Sequence, residues 1–213
     1  NLETIYSPID GGILKEFTYS QDGQLRGTGV VYPTDESVQK ATGEKLRFRR
    51  EYLDMQGRLA KVTESTLKGA VARSVLYSAN GVRLYQRDNF LAAPGSWAAY
   101  HYFADGITVK RREVRSYAYY EVDDFYQDGL TVSCHSQVYQ WRNNLTCYRP
   151  DGTYEYMITK VRTANLLEVS TFDSGGRLKL KRSFRMHAVD LSGKIMTAYK
   201  LVEVRVYTYR HDI

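Results

Sequence analysis

The residues with reactive or metal-ligating chemistry are four histidines, two cysteines and a short run of carboxylates. His101, His135, His187 and His211 stand far apart, and no HExxH, Cys-x-x-Cys or His-plus-acid zinc spacing occurs. Neither a metal nor a cofactor is therefore expected. Cys134-His135 supplies a nucleophile and a base by residue type. Neighbours on a strand point to opposite faces, so these two cannot hydrogen-bond as a catalytic dyad must. Glu121, Asp123 and Asp124 precede Asp128-Gly129. Glu121 and Asp123 share a strand face, Asp124 takes the other, and solvated edge-strand charge is their commoner meaning. The chain is accordingly read as non-enzymatic. Were it a cofactor-free enzyme, His101, His135, Glu121 and Asp123 would be its candidate residues.

What must position these side chains is a hairpin repeat. An aromatic or large apolar residue precedes a glycine by four places, with a turn-forming residue just before the glycine. Tyr19 leads to Asp22-Gly23, Tyr77 to Asn80-Gly81, Tyr102 to Asp105-Gly106, Phe125 to Asp128-Gly129 and Tyr148 to Asp151-Gly152. Phe172 with Gly175-Gly176 and Val189 with Ser192-Gly193 continue the series, and Tyr52 with Gln56-Gly57 carries one extra residue. The spacing of about 23 to 25 residues from Gly57 to Gly176 matches two strands and two turns. Asn-Gly and Asp-Gly supply the positive φ of a tight turn, read here as two-residue turns.

Flanking segments alternate as strands should. Val202, Val204 and Val206 fall on one face and Glu203, Arg205, Tyr207 and Tyr209 on the other. Tyr154, Tyr156 and Ile158 likewise oppose Glu155, Met157 and Thr159. The fold expected is all-β: an antiparallel up-and-down meander of tandem β-hairpins, about 14 to 16 short strands forming a curled sheet or a closed barrel. One domain over 1–213 is expected, with a polar insertion at about 34–45 that is a loop or one short helix. Pro33, Pro94 and Pro150 fall at strand ends or loops, as ladders require.

The segment Tyr52-Leu53-Asp54-Met55-Gln56-Gly57-Arg58-Leu59 resembles the tyrosine-aspartate (YD) repeat of Rhs-type and teneurin proteins, and Phe172-Asp173-Ser174-Gly175-Gly176-Arg177-Leu178 is similar. The rhythm is also similar to the MORN-type hairpin repeat. Only two units carry the glycine-arginine-leucine spelling. The resemblance implies curled β-sheet that encloses or displays something, with no catalysis of its own.

At 213 residues, 43% hydrophobic and 25% charged, the composition excludes disordered and disulfide-scaffold classes. No apolar run reaches the length of a membrane-spanning helix, and the assigned faces carry charge too often for a lipid-facing band. The first residue is Asn1. A removed leader would favour a secreted or periplasmic location. Two-residue turns would place Cys134 opposite Asp123 and His135 opposite Val122. A turn at Asn143-Asn144 would pair Cys147 with Gln140, about 20 Å from Cys134. Free thiols would favour the cytoplasm.

Nineteen tyrosines against seven phenylalanines, with a net charge of +6, suit a half-wet, partly basic sheet surface. Tyr139 opposite Tyr148, together with Tyr154 and Tyr156, would form its aromatic part. Arg177, Lys179, Lys181 and Arg185 would form a basic stripe, with Lys45, Arg47 and Arg49 a second and Arg111 and Arg115 sharing a face. The function expected is a binding or scaffold module for a protein or glycan. The alternative is a lipocalin-like β-barrel carrying a small apolar ligand. Nucleic acid is disfavoured because no recognised motif accompanies the charge. A homodimer through edge strands is a further expectation.

Overall fold

The structure, a computed structural model, describes residues 1–6, 13–34, 39, 45–90, 93–191 and 194–209. The chain divides into two compact units, 1–117 and 118–213. The first holds β1 (Leu2–Tyr6), β2 (Ile13–Tyr19), β3 (Leu25–Pro33), β4 (Leu46–Leu53), β5 (Leu59–Thr66), β6 (Val71–Tyr77), β7 (Arg83–Asn89), β8 (Trp97–Tyr102) and β9 (Val109–Arg115). The second holds β10 (Tyr119–Phe125), β11 (Val132–Tyr139), β12 (Arg142–Tyr148), β13 (Tyr154–Val161), β14 (Leu166–Phe172), β15 (Leu178–Leu191) and β16 (Lys194–Val206). Within each unit the strands lie in chain order and pair antiparallel with their sequence neighbours. The fold is an all-β, up-and-down meander, as the alternation and turn chemistry require. The expected insertion at 34–45 lies outside the described residues except for Thr34, Gln39 and Lys45, and so does the turn at Ser192-Gly193. No helix among the described residues is long and apolar enough to cross a membrane.

The glycines do what their spacing implies, in longer turns than two residues. Gly57 N–H donates to Asp54 O at 3.1 Å while Asp54 N–H donates to Arg58 O at 2.8 Å, which closes a three-residue loop over Met55, Gln56 and Gly57. Tyr126 and Thr131 bracket a four-residue loop in the same way, with Gly129 N–H on Tyr126 O at 2.9 Å. In both loops the glycine carries the positive φ, 77° and 68°, as in a type I turn continued by a left-handed residue. The extra residue is absorbed by a bulge beside the turn. Phe125 pairs with Val132 but Asp124 pairs with Cys134, so Ser133 has no direct opposite.

That bulge corrects the expected register by one residue. His135 lies opposite Asp123 and Cys134 opposite Asp124. A second correction concerns the next turn, which is made by Gln140 and Trp141 between β11 and β12. Asn143 and Asn144 are inside β12, opposite Val138 and Gln137. Cys134 and Cys147 are therefore directly opposed, with Cα atoms 4.1 Å apart, and form a disulfide. The expectation of two distant free thiols is overturned, and with it the reason for favouring a reducing compartment, since disulfides persist in oxidising ones. Tyr139 does not oppose Tyr148. It pairs with Tyr119, and Tyr148 pairs with Tyr154.

Candidate functional site

Following the register across the second unit gives two chemically distinct faces. One row runs Val122, Ser136, Leu145, Ile158, Val169, Arg182, Val204. The row beside it, on the opposite face, runs Asp123, His135, Thr146, Met157, Ser170, Lys181, Arg205. A parallel row on that second face runs Glu121, Gln137, Asn144, Thr159, Glu168, Ser183, Glu203. Strand alternation thus sorts the unit into a mainly apolar face and a polar one. The polar face is not simply the wet one. Asp123, Thr146, Thr159 and Ser183 are all buried, at 6%, 9%, 7% and 4% exposure.

The proposed enzyme candidates separate into two places. His135 Nδ1 lies 2.5 Å from Asp123 Oδ1, a cross-strand contact that a dyad within Cys134-His135 could not have made. Glu121, Asp123 and His135 each offer a ligand atom, all within 4.8 Å of one another. This is the arrangement among the described residues that could hold a cation, although the Asp123 to His135 hydrogen bond already engages two of its three members. The spacing search missed it because cross-strand neighbours are remote in sequence. His101 belongs to the first unit, with Nε2 3.1 Å from Glu113 Oε1 and its ring centroid 5.0 Å from that of Tyr85. Arg111 Nε stands 3.3 Å from the same Glu113 oxygen, so the pair is one part of a three-residue charge cluster. No nucleophile is held against either imidazole by a hydrogen bond among those observed.

The aromatic candidates form short ladders. Tyr148 and Tyr154 ring centroids are 5.4 Å apart and Tyr154 and Phe172 are 5.2 Å apart, so three rings span β12, β13 and β14. Two residues absent from the sequence expectation fix this ladder. Tyr126 Oη donates to Tyr148 O at 2.7 Å. The Arg149 guanidinium donates to the carbonyls of Tyr154, Phe172 and Asp173 at 2.6, 3.0 and 2.9 Å. Burial, followed by the charges of Tyr154 and Asp123, raises the Tyr148 phenol above its ordinary range. Tyr139 stacks on Trp141 at 6.1 Å and 24° and neighbours Tyr119 at 6.1 Å. Tyr156 points to the apolar face, opposite Cys147 and Thr171.

Two members of the basic stripe have side-chain partners. Arg177 is not in β15 but in the turn before it, where it holds Asp173 Oδ2 at 3.0 Å and lies over the Tyr209 ring. Lys181 meets Glu168 at 2.8 Å. Arg185 sits opposite Leu166, and Lys179 contributes its carbonyl to Tyr207. Nearby, Lys160, Arg162, Asn165 and His187 line a shallow cleft of about 400 Å³.

No family model matches the chain and no curated protein matches it. Among solved structures the chain is similar to a porin-like protein from Bacteroides uniformis at 10% identity. The superposition covers 97% of this chain and 96% of that one, with a TM-score of 0.24.

Proposed function

We propose that the chain is a non-enzymatic binding module whose second unit presents a polar, tyrosine-bordered and partly basic β-sheet face to a glycan. The observation that carries this reading is the pair of polar rows. Gln137, Asn144 and Ser170 place amides and a hydroxyl at part-exposed positions of β11, β12 and β14, with the buried Thr146, Thr159 and Ser183 beneath the same face. Such a surface offers donors and acceptors to a hydroxyl-rich chain. The Tyr148, Tyr154 and Phe172 rings add flat apolar surface on which a sugar ring can stack, and the Arg149 clamp fixes their backbone in advance. Preorganisation of this kind lowers the ordering cost of binding.

The test is affinity electrophoresis through gels containing heparin or a neutral glucan, comparing the wild type with Gln137→Ala/Asn144→Ala and with Tyr154→Ala. Retardation that survives about 0.5 M salt and is lost in the variants is the expected result, because charge attraction alone is screened at that ionic strength. Retardation that vanishes with modest salt and is indifferent to the variants would reduce the effect to cation exchange. A small apolar molecule released on denaturation in a native mass spectrum would instead favour a ligand-carrying barrel.

A further inference from the structure

We infer that β16 is a self-association edge, pairing antiparallel with β16 of a second copy of this chain about a two-fold axis at Val204. In its unit β16 is hydrogen-bonded to β15, and no strand among the described residues of that unit pairs with its outer side. Val202, Val204 and Val206 are 50%, 49% and 70% exposed, and Tyr199 and Leu201 are 48% and 49% exposed. An exposed strand with apolar side chains and unpaired amides is a template for another strand.

The direction of those amides follows from the ladder. Tyr207 N–H donates inward to Lys179 O at 3.0 Å. Main-chain groups alternate sides along a strand, so Val206 and Val204 present theirs outward. A two-fold axis at Val204 lets the two Val204 residues exchange a pair of N–H to O=C bonds. Val206 then stands opposite the bulge at Val202 of the other copy, where Ser183 pairs with Glu203 and Phe184 with Leu201, so the regular pairing is centred on Glu203, Val204 and Arg205.

Charge selects this register over its neighbours. Glu203 and Arg205 flank Val204 on the polar face, where they pair with each other at 2.6 Å and remain exposed in the isolated chain. With Val204 on the axis, Glu203 of each copy lies opposite Arg205 of the other, giving two cross-strand ion pairs in non-hydrogen-bonded positions, where side chains approach most closely. A shift of the axis to Glu203 or Arg205 sets like charges face to face. The same axis keeps polar face beside polar face and sets the two Val204 side chains next to each other on the apolar face. This association goes beyond glycan binding and does not depend on it.

Sedimentation velocity on the disulfide-intact chain tests the inference. The wild type is expected to be dimeric at about 100 µM and to dissociate on dilution. Val204→Pro removes an outward N–H that β15 does not use, so the variant should keep the wild-type circular dichroism and melting temperature while sedimenting as a monomer. Glu203→Arg puts Arg opposite Arg and should weaken the dimer at least about tenfold. Glu203→Arg/Arg205→Glu should restore it. A wild-type monomer at that concentration, a dimer unaffected by Val204→Pro, or a double variant as weak as the single one would each overturn the proposal.

Discussion

His135 stands directly opposite Asp123 across the β10 to β11 ladder, and its Nδ1 is 2.5 Å from the Asp123 carboxylate. The carboxylate is buried at 6% exposure, so its partner must supply what water cannot. Asp123→Ala is expected to cost about 2 to 3 kcal/mol, the range for losing a hydrogen bond to a charged group and stranding its partner. The contrast is His101, whose side chain is 41% exposed beside Glu113. His101→Ala should cost less than about 1 kcal/mol, as exposed pairs do. Urea unfolding at neutral pH measures both, and equal losses would refute the distinction.

The turn aspartates tie stability to pH. Asp105 and Asp128 accept first from the Thr108 and Thr131 hydroxyls and then from backbone N–H groups, which lowers their carboxyl ionisation. Asp54 and Asp173 are lowered first by the backbone N–H groups of Arg58 and Arg177 and also by those guanidinium groups. A carboxyl that ionises at lower pH when folded stabilises the fold above its unfolded value, about 3.9, and loses that contribution as pH falls through the folded value. The melting temperature should hold from pH 7 to 5 and decline below about 4. Asp105→Asn/Asp128→Asn should flatten that decline. A wild type that melts at one temperature from pH 5 to pH 2.5 would contradict it.

Two turn glycines should respond differently to alanine. Gly57 has φ +77° and open space around the position of a Cβ, so Gly57→Ala carries only backbone strain, about 1 to 2 kcal/mol. Gly106 has φ +69°, and a Cβ there would lie 2.8 Å from Val82 Cγ1 and 2.9 Å from Arg83 N. One hairpin end is packed against the next at that point. Gly106→Ala should cost about 1 to 3 kcal/mol more than Gly57→Ala because overpacking adds to strain. Thermal melts of the two variants side by side decide it.

Much of the fold was legible because each turn advertises itself. Gly81 and Gly152 are spelled by Asn-Gly and Asp-Gly, and Val204 and Val206 keep the period of two, which a bulge breaks at Val202. Register was less legible, since the bulge at Ser133 leaves no mark in the sequence and moves every later partner by one place. The Gln140-Trp141 turn carries neither glycine nor asparagine, whereas Asn143-Asn144 imitates a turn inside β12. Those two errors concealed the disulfide and the Asp123 to His135 contact together. Residue type alone marks Glu121, Asp123 and His135 as candidates, but only the ladder brings the three together. Arg149 and Tyr126 escaped notice because their partners are main-chain carbonyls, which no side-chain pattern announces.

The disulfide supplies the last expected outcome. Cys134 and Cys147 are 13 residues apart and close the β11 to β12 hairpin in the unfolded chain as well as in the native one. Restricting a loop of that size in the denatured ensemble is worth about 3 kcal/mol by chain entropy, less whatever native strain the bridge carries. Reduction should therefore lower the guanidinium midpoint without changing the far-ultraviolet spectrum, because the β11 to β12 backbone ladder remains. Cys134→Ala/Cys147→Ala should show a comparable loss and no further response to reductant. Thiol titration of the unreduced protein in denaturant checks the premise. Zero reactive thiols is the expected count, and two would show the opposed cysteines to be reduced.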